Sequence, residues 1–195
     1  MTDYSQQGEQ EHILANTPAV GRFLDIGAYH AKIFSNTRAL YERGWSGVMI
    51  EPSPGPFESL LREYGNEDRV TLICAAVSVG GEGLVTLYAT QDALSTTDKK
   101  WYRDLMKRDG YNGGFYGSFR IPTIDVVDLD EFGPFDFVSV DTEGTSEAIA
   151  EDAVLSLGVL PKCICSEQTK PTQLVIDLGY KVVYQNGTNV IYVKH

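Results

Sequence analysis

The chain has 195 residues, with 16 Lys and Arg against 27 Asp and Glu, which gives a formal net charge of −11. Its length fits one domain, and its 43% hydrophobic content excludes a disordered chain. An acidic chain also lacks the basic surface that binding to nucleic acid or to an anionic membrane requires, so we expect neither partner.

The N-terminal residues, the apolar runs and the cysteines indicate the cellular compartment of the protein. Residues 1–7 lack the basic and apolar regions of a signal peptide, and no apolar run approaches the ~20 residues of a membrane span. Three cysteines, Cys74, Cys163 and Cys165, are too few for a disulfide scaffold. We therefore expect a cytoplasmic protein whose Cys163 and Cys165 are buried apolar residues, and we predict no metal site.

The first part of the chain alternates strands with helices. We interpret residues 1–19 as an N-terminal arm and residues 20–195 as a single domain. Apolar runs without clean alternation predict strands of a parallel sheet that is covered on both faces. Their order along the chain is strand 22–26, helix 35–43, strand 46–50, helix 55–64 and strand 70–74.

Residues 90–118 form an insertion between predicted strands at 84–89 and 119–123. Irregular segments of this length are usually functional. We expect a helix around Trp101, capped by Ser95 or Thr96. The rest is rich in glycine and aromatic residues, which predicts a mobile flap over a substrate pocket. An ordinary surface excursion is the alternative.

The last part of the chain returns to the alternating pattern and then ends in a hairpin. Asn186 and Gly187 are a strong hairpin signal, so the sheet should finish in an antiparallel pair. The predicted elements are strand 135–140, helix 145–157, strand 162–166, helix 171–178 and the hairpin strands 181–185 and 189–193.

Ligands of open α/β sheets bind beyond the carboxyl ends of the strands, where the strand order reverses. Gly27 follows the first strand, where the missing Cβ permits either a plain turn or close approach of a ligand. The next helix begins near Ser35 and Asn36 and favours an anionic group. The glycine-rich nicotinamide fingerprint is absent, since position 29 is Tyr and position 32 is Lys.

Acidic residues follow two further strands. Glu51 lies 24 residues beyond Gly27 and can accept hydrogen bonds from ribose hydroxyls, which predicts a nucleoside ligand. Asp141 and Glu143 can orient a cationic or hydroxyl-bearing ligand or accept a proton, although helix-start acids are the simpler alternative. A divalent cation is disfavoured because two acidic residues alone supply few of the ligands that such an ion needs.

Taken in order, these motifs resemble the FkbM-type methyltransferases, which depend on S-adenosylmethionine (SAM). The likeness spans about residues 20–195. Its motifs are FLDIGAYH at 23–30 with FSNT at 34–37, GWSGVMIEP at 44–52, CAAVS at 74–78, IPT at 121–123 and DTEG at 141–144.

The resemblance implies a class I methyltransferase with a Rossmann-like, mostly parallel seven-stranded sheet, helices on both faces and an antiparallel C-terminal hairpin. Family members are associated with O-methylation of hydroxyls on sugars or natural products, so it also implies a small-molecule acceptor. The same motifs imply a set of SAM-binding residues: Asp25, Gly27, Ala28, Tyr29, Ser35, Asn36, Glu51, Pro52, Ser53, Ala75, Ala76 and Asp141.

Methylation of an alcohol is helped by a nearby base. The candidate catalytic residues are Asp141, Glu143 and His30, with Asp98 as a weaker candidate because it fits a helix cap. Two alternatives stay open: a nucleotide-binding enzyme that uses NAD or a nucleotide sugar, and a non-catalytic module with the SAM-binding fold. The oligomeric state is left open.

Overall fold

A seven-stranded sheet runs through the centre of the protein, in a computed structural model that describes residues 2–81 and 83–194. Met1 of the predicted arm and His195 of the predicted domain lie outside the described residues, as does Glu82. The strands of this sheet, in spatial order, are β3 (Val70–Ile73), β2 (Ser46–Ile50), β1 (Arg22–Ile26), β7 (Phe137–Val140), β8 (Cys163–Glu167), β10 (Asn189–Lys194) and β9 (Tyr180–Gln185).

The sheet is parallel from β3 to β8, and the hairpin β9–β10 is antiparallel. This confirms the mostly parallel α/β sheet with an antiparallel C-terminal pair. β1 pairs with β2 on one side and with β7 on the other. The order therefore reverses beside β1, and Ile26, Ile50 and Val140 end side by side at one edge of the sheet.

Both faces of the sheet are buried, which explains the apolar runs. In β1, Phe23 belongs to one hydrophobic cluster and Leu24 to the other. Helices α1 (Glu9–Ala15), α2 (Arg38–Glu42) and α3 (Pro54–Tyr64) cover the first cluster. Helices α5 (Ser146–Ser156) and α6 (Gln173–Asp177) and a 3₁₀ helix (Val127–Phe132) cover the second. Among the described residues, no helix is long and apolar enough to cross a membrane.

The insertion contains α4 (Lys99–Leu105), but its cap differs from our expectation. The Asp98 carboxylate accepts hydrogen bonds from the backbone N–H groups of Lys100 and Trp101. Neither expected residue caps the helix, because both hydroxyls are engaged elsewhere. The Thr96 hydroxyl donates to the Glu143 carbonyl, and the Ser95 hydroxyl accepts from the Thr90 N–H. The prediction of a Ser95 or Thr96 cap was wrong.

A second sheet of three strands was not predicted. Its members, in spatial order, are β4 (Ala76–Ser78), β6 (Phe115–Asp125) and β5 (Leu84–Thr90). β6 begins earlier than the strand predicted at 119–123, and Phe115 pairs with Thr90. Residues 115–117 of the expected flap are therefore part of a sheet, and the irregular insertion runs from 91 to 114 around α4.

Candidate functional site

A cleft opens at the edge where β1, β2 and β7 end. The turns after these three strands form its floor and walls, and β4, the insertion and the N-terminal arm complete it. Its lining residues are Gln6, 25–29, Phe34, Asn36, 50–53, 75–77, Leu87, 93–97, Ser139, 141–143 and Thr145.

Gly27 joins the three strand ends. Its N–H donates to the Ile50 carbonyl at 2.9 Å, and the Asp141 N–H donates to the Ile26 carbonyl at the same distance. Gly27 has φ +82°, and a Cβ there would lie 1.7 Å from the Asp141 carbonyl oxygen. Because Gly27 has no Cβ, the backbone at Asp141 can approach it closely. From the sequence, we considered only a plain turn or the approach of a ligand as reasons for this glycine.

Glu51 bridges the first and second strand-end loops. Its carboxylate accepts hydrogen bonds from the Tyr29 N–H at 2.9 Å and the Ser53 N–H at 2.6 Å. The side chain is buried, and this desolvation raises the pKa of Glu51 from 4.5 to about 7. A carboxylate has about four acceptor positions, so Glu51 keeps capacity to bind hydroxyls of a ligand.

Asp25 and Asn36 form the deeper part of the cleft. The buried Asp25 carboxylate accepts from the Thr37 hydroxyl at 2.5 Å, and burial raises its pKa to about 6. The Asn36 amide donates to the Ser139 hydroxyl at 3.1 Å. These contacts fix the floor of the cleft beneath the strand ends.

Three carboxylates meet on the opposite wall. One oxygen from each of Asp141, Glu143 and Glu167 lies within 4.8 Å of the other two. Burial raises the pKa of Glu143 to about 10, helped by the Glu167 and Asp141 charges, and burial and Glu167 also raise the pKa of Asp141. Carboxyl groups as close as these are well arranged to share protons.

Glu167 was missed by the sequence reasoning, although a signal was present. It ends β8, the strand next to β7, so its side chain lies at the same sheet edge as Asp141. Its carboxylate accepts from the Glu143 N–H at 3.1 Å and from the Ser146 hydroxyl at 3.2 Å. It thereby holds the loop that carries both predicted acids.

The insertion holds this loop from the other side. The buried Thr96 hydroxyl donates to the Glu143 carbonyl at 2.5 Å. Gly144 has φ +103°, and a Cβ there would lie 2.8 Å from the Trp101 ring. The glycine therefore lets Trp101 pack directly on residues 141–144, which we call the acid loop. Residues 93–97 line the cleft beside this loop.

Three predicted residues do not line the cleft: His30, Ser35 and Asp98, which caps α4. The His30 Nδ1 accepts from the N–H groups of Lys32 at 3.0 Å and Ile33 at 3.2 Å. The Ser35 hydroxyl accepts from the Arg38 N–H, and the Ser35 N–H donates to the Tyr4 carbonyl. His30 and Ser35 both serve the backbone of their own loop. The structure brings the other predicted residues together in the lining.

The lining is strongly acidic. It contains the carboxylates of Asp25, Glu51, Asp141 and Glu143, and no Lys, Arg or His of residues 2–81 and 83–194 contributes to it. A cation or a neutral ligand therefore suits the cleft electrostatically, whereas a polyanion does not.

Residues 25–149 match the family model of the methyltransferase FkbM domain. The chain belongs to the FkbM family of SAM-dependent methyltransferases. The matched part of this FkbM domain holds every strand end that lines the cleft, which confirms the family resemblance of the sequence motifs. The comparison with curated proteins found no match.

Solved structures with a similar fold include several methyltransferases. An FkbM methyltransferase from Methylobacillus flagellatus has 14% identity and a TM-score of 0.49 over 90% of this chain and 44% of its own. A TehB-like SAM-dependent methyltransferase from Corynebacterium glutamicum has 12% identity and a TM-score of 0.44 over 100% and 90%. The SAH-bound Podospora anserina methyltransferase PaMTH1 has 15% identity and a TM-score of 0.43 over 89% and 71%. The chain thus spans less than half of the Methylobacillus protein.

Proposed function

We propose that this FkbM domain binds SAM in the cleft and transfers its methyl group to a hydroxyl of a small acceptor, a sugar or another natural product. The acidic lining is the observation that carries the proposal. SAM presents a sulfonium and an ammonium cation. A cation beside Asp25, Glu51, Asp141 and Glu143 favours the ionised form of these acids, whose pKa burial raises in the free protein. NAD or a nucleotide sugar would instead bring two phosphates into a cleft that no basic side chain of the described residues lines.

The lining residues fit the parts of SAM in the order that the family motifs imply. Gly27, Ala28 and Tyr29 would contact the methionine part, and Asn36 its carboxylate. Glu51 would bind the ribose hydroxyls, with Pro52 and Ser53 beside it and Asp25 beneath. The small Ala75 and Ala76 would leave room for the flat adenine ring. We leave Ser35 out of this set because its polar groups are engaged in its own loop and in the arm.

SAM, when bound, supplies an electrophilic methyl group that an aligned nucleophile displaces. The protein must hold the acceptor oxygen in line, exclude water and receive the hydroxyl proton. We place the acceptor beside residues 93–97 and the acid loop, because both line the cleft and the Thr96 hydroxyl joins them by its bond to the Glu143 carbonyl. There the three neighbouring carboxyl groups of Asp141, Glu143 and Glu167 share protons, and the one that stays ionised can accept the proton of the acceptor hydroxyl.

The proposal includes a reducing, cytoplasmic location and excludes nucleic acid as the acceptor. All three cysteines are free thiols, and Cys163 and Cys165 are buried in the sheet. A nucleic-acid acceptor would bring phosphates to a cleft without basic residues.

Thermal unfolding with added ligands tests the cofactor. We expect SAM and S-adenosylhomocysteine (SAH) to stabilise the protein, by about 2.7 kcal/mol at 100 times their Kd, and NAD and a UDP-sugar to have no effect. Stabilisation by NAD or the UDP-sugar alone would contradict the proposal and favour the nucleotide-binding alternative.

Two substitutions separate binding from chemistry. Glu51→Ala should abolish SAH binding, whereas Asp141→Ala should retain binding and lower methyl transfer to acceptors found by screening sugars, polyketides and peptides. Glu58→Ala is the matched control, because Glu58 lies on the surface of α3 and pairs with Arg62. Tight SAH binding without transfer to any acceptor class would favour the non-catalytic module.

A further inference from the structure

Residues 4–9 of the N-terminal arm are fastened at both ends. On one side, the Tyr4 carbonyl accepts from the Ser35 N–H at 2.9 Å, and the Tyr4 hydroxyl donates to Glu42 at 2.9 Å. On the other side, the buried Glu9 carboxylate accepts from the amides of Asn186 at 2.7 Å and Asn189 at 2.9 Å. The arm therefore spans from the loop before α2 to the C-terminal hairpin.

Gln6 lies between these two anchors and lines the cleft together with Phe34 and Asn36. The backbone of its neighbour Gln7 is fixed, because the Gln7 carbonyl accepts a hydrogen bond from the Tyr184 hydroxyl at 2.7 Å. The Gln6 amide forms no hydrogen bond with any residue that the structure describes. Gln6 is exposed and lies on a segment that both anchors fix at the cleft, so its amide is accessible to a ligand there.

The charge of the cleft makes such a group necessary. The amino-acid end of SAM carries a carboxylate, and no basic side chain among the described residues lines the cleft to neutralise it. Neutral donors must therefore bind it. Asn36, which we assign to this carboxylate, shares its amide with Ser139 at 3.1 Å and Cys165 at 3.7 Å, and the Ser35 N–H donates to the Tyr4 carbonyl. Gln6 supplies a donor that these contacts leave open.

We propose that Gln6 is a further cofactor-binding residue, whose side-chain amide donates a hydrogen bond to the carboxylate at the amino-acid end of SAM. The inference rests on the proposed function, since it takes SAM as the ligand. It assigns the arm a direct part in binding and gives this chain a contact outside the region that matches the family model.

Calorimetry with two probes tests the inference. SAH contains the amino-acid end, and 5′-methylthioadenosine lacks it. We expect Gln6→Ala to weaken SAH about tenfold, as loss of a hydrogen bond to a charged group does. Gln6→Glu should weaken it further through charge repulsion. Binding of 5′-methylthioadenosine should change little in Gln6→Ala, and Gln173→Ala, an exposed glutamine on α6, is the matched control.

The outcomes separate this inference from the proposed function. Wild-type protein that fails to bind SAH would overturn both. Wild-type protein that binds SAH, with equal affinity in Gln6→Ala, would overturn the role of Gln6 alone. Equal weakening of SAH and 5′-methylthioadenosine would also overturn it, because the amide would then support the cleft in general. Thermal unfolding of the free variants verifies that they fold.

Discussion

Strained backbone is concentrated at the cleft. Tyr29, Phe34 and Glu143 are the non-glycine residues with positive φ in the described chain, at +46°, +57° and +53°, and all three line the cleft. This conformation costs an L-residue roughly 1–2 kcal/mol, so contacts elsewhere must hold it. For Glu143 these contacts are the Glu167 carboxylate and the Thr96 hydroxyl.

The strain at Glu143 predicts an unusual order of stability. Glu143→Gly should be more stable than Glu143→Ala by about 1 kcal/mol, because both remove the carboxylate and glycine alone tolerates φ +53°. Urea unfolding measures the difference. The same pair at Glu58, inside α3, should show the reverse order by about 1 kcal/mol. Equal stability of the two Glu143 variants would contradict a strained backbone.

Among the described glycines, Gly27 is the one where an added Cβ would come nearest to another atom. Gly27→Ala combines a positive φ with a Cβ 1.7 Å from the Asp141 carbonyl oxygen, so we expect about 3 kcal/mol or more of lost stability. Gly80→Ala is the control, because Gly80 has φ +62° and open space around it. That variant should lose only about 1 kcal/mol. Similar losses in both would show that the strand ends can move apart.

At the scale of elements, the insertion supports the acid loop through α4. Asp98 starts this helix by accepting from the N–H groups of Lys100 at 2.7 Å and Trp101 at 3.1 Å. Trp101 then packs on Gly144. The cap therefore orients the helix whose aromatic side chain covers the loop of Asp141 and Glu143.

We expect Asp98→Ala to lower the free energy of unfolding by about 1 kcal/mol, as loss of a helix cap does. Asp98→Asn should retain most of the stability, because its amide oxygen can still accept these bonds. Chemical denaturation measures both variants. An unstable Asn variant would indicate that the charge of Asp98, and not its cap, is what matters.

The elements that the sequence predicted best are those with strong local signals. β1 and β2 were placed correctly because their apolar residues run without a break between polar turns. β4 has three residues and exists only through its pairing with β6, which no local pattern reveals. Helix α2 begins at Arg38 and not at 35, and the Ser35 hydroxyl accepts a hydrogen bond from the N–H of this first helical residue.

The residues of the site also divide into those that a local sequence signal predicts and those that it does not. Gly27, Glu51 and Asp141 follow predicted strands directly, so the rule that ligands bind at strand ends places them together. His30 and Ser35 lie in the same motif, but their side chains accept hydrogen bonds from backbone N–H groups nearby and so stabilise the loop. Gln6 reaches the cleft through anchors that are distant along the chain, which sequence reasoning about neighbours does not detect.

For the whole molecule, the acidic cleft predicts how stability depends on pH. Burial raises the pKa of Asp25 to about 6 and of Glu51 to about 7, whereas both are ordinary when unfolded. The folded state then binds protons more tightly. The resulting contribution to the free energy of unfolding is complete below about pH 4 and is lost as pH rises through the pKa values of the folded state. Glu51 alone accounts for about 3 kcal/mol of it.

We therefore expect the ligand-free protein to become less stable between pH 5 and pH 8. Urea unfolding at several pH values measures the trend. Glu51→Gln removes one titrating group, so its stability should decline less steeply than that of the wild type. A ligand-free protein that gains stability over this range would show that the buried carboxylates are ionised without penalty.

The contact between the arm and the hairpin also has a consequence for folding. Glu9 is joined to Asn189, 180 residues further along the chain. During synthesis, Glu9 leaves the ribosome long before this partner exists, and contacts of such sequence separation form slowly because a long loop must close. The contact of Glu9 can form only once the final strand has been made. The second anchor of the segment that carries Gln6 therefore depends on the last strand of the sheet, whereas the anchor at Tyr4 needs only residues close to it along the chain.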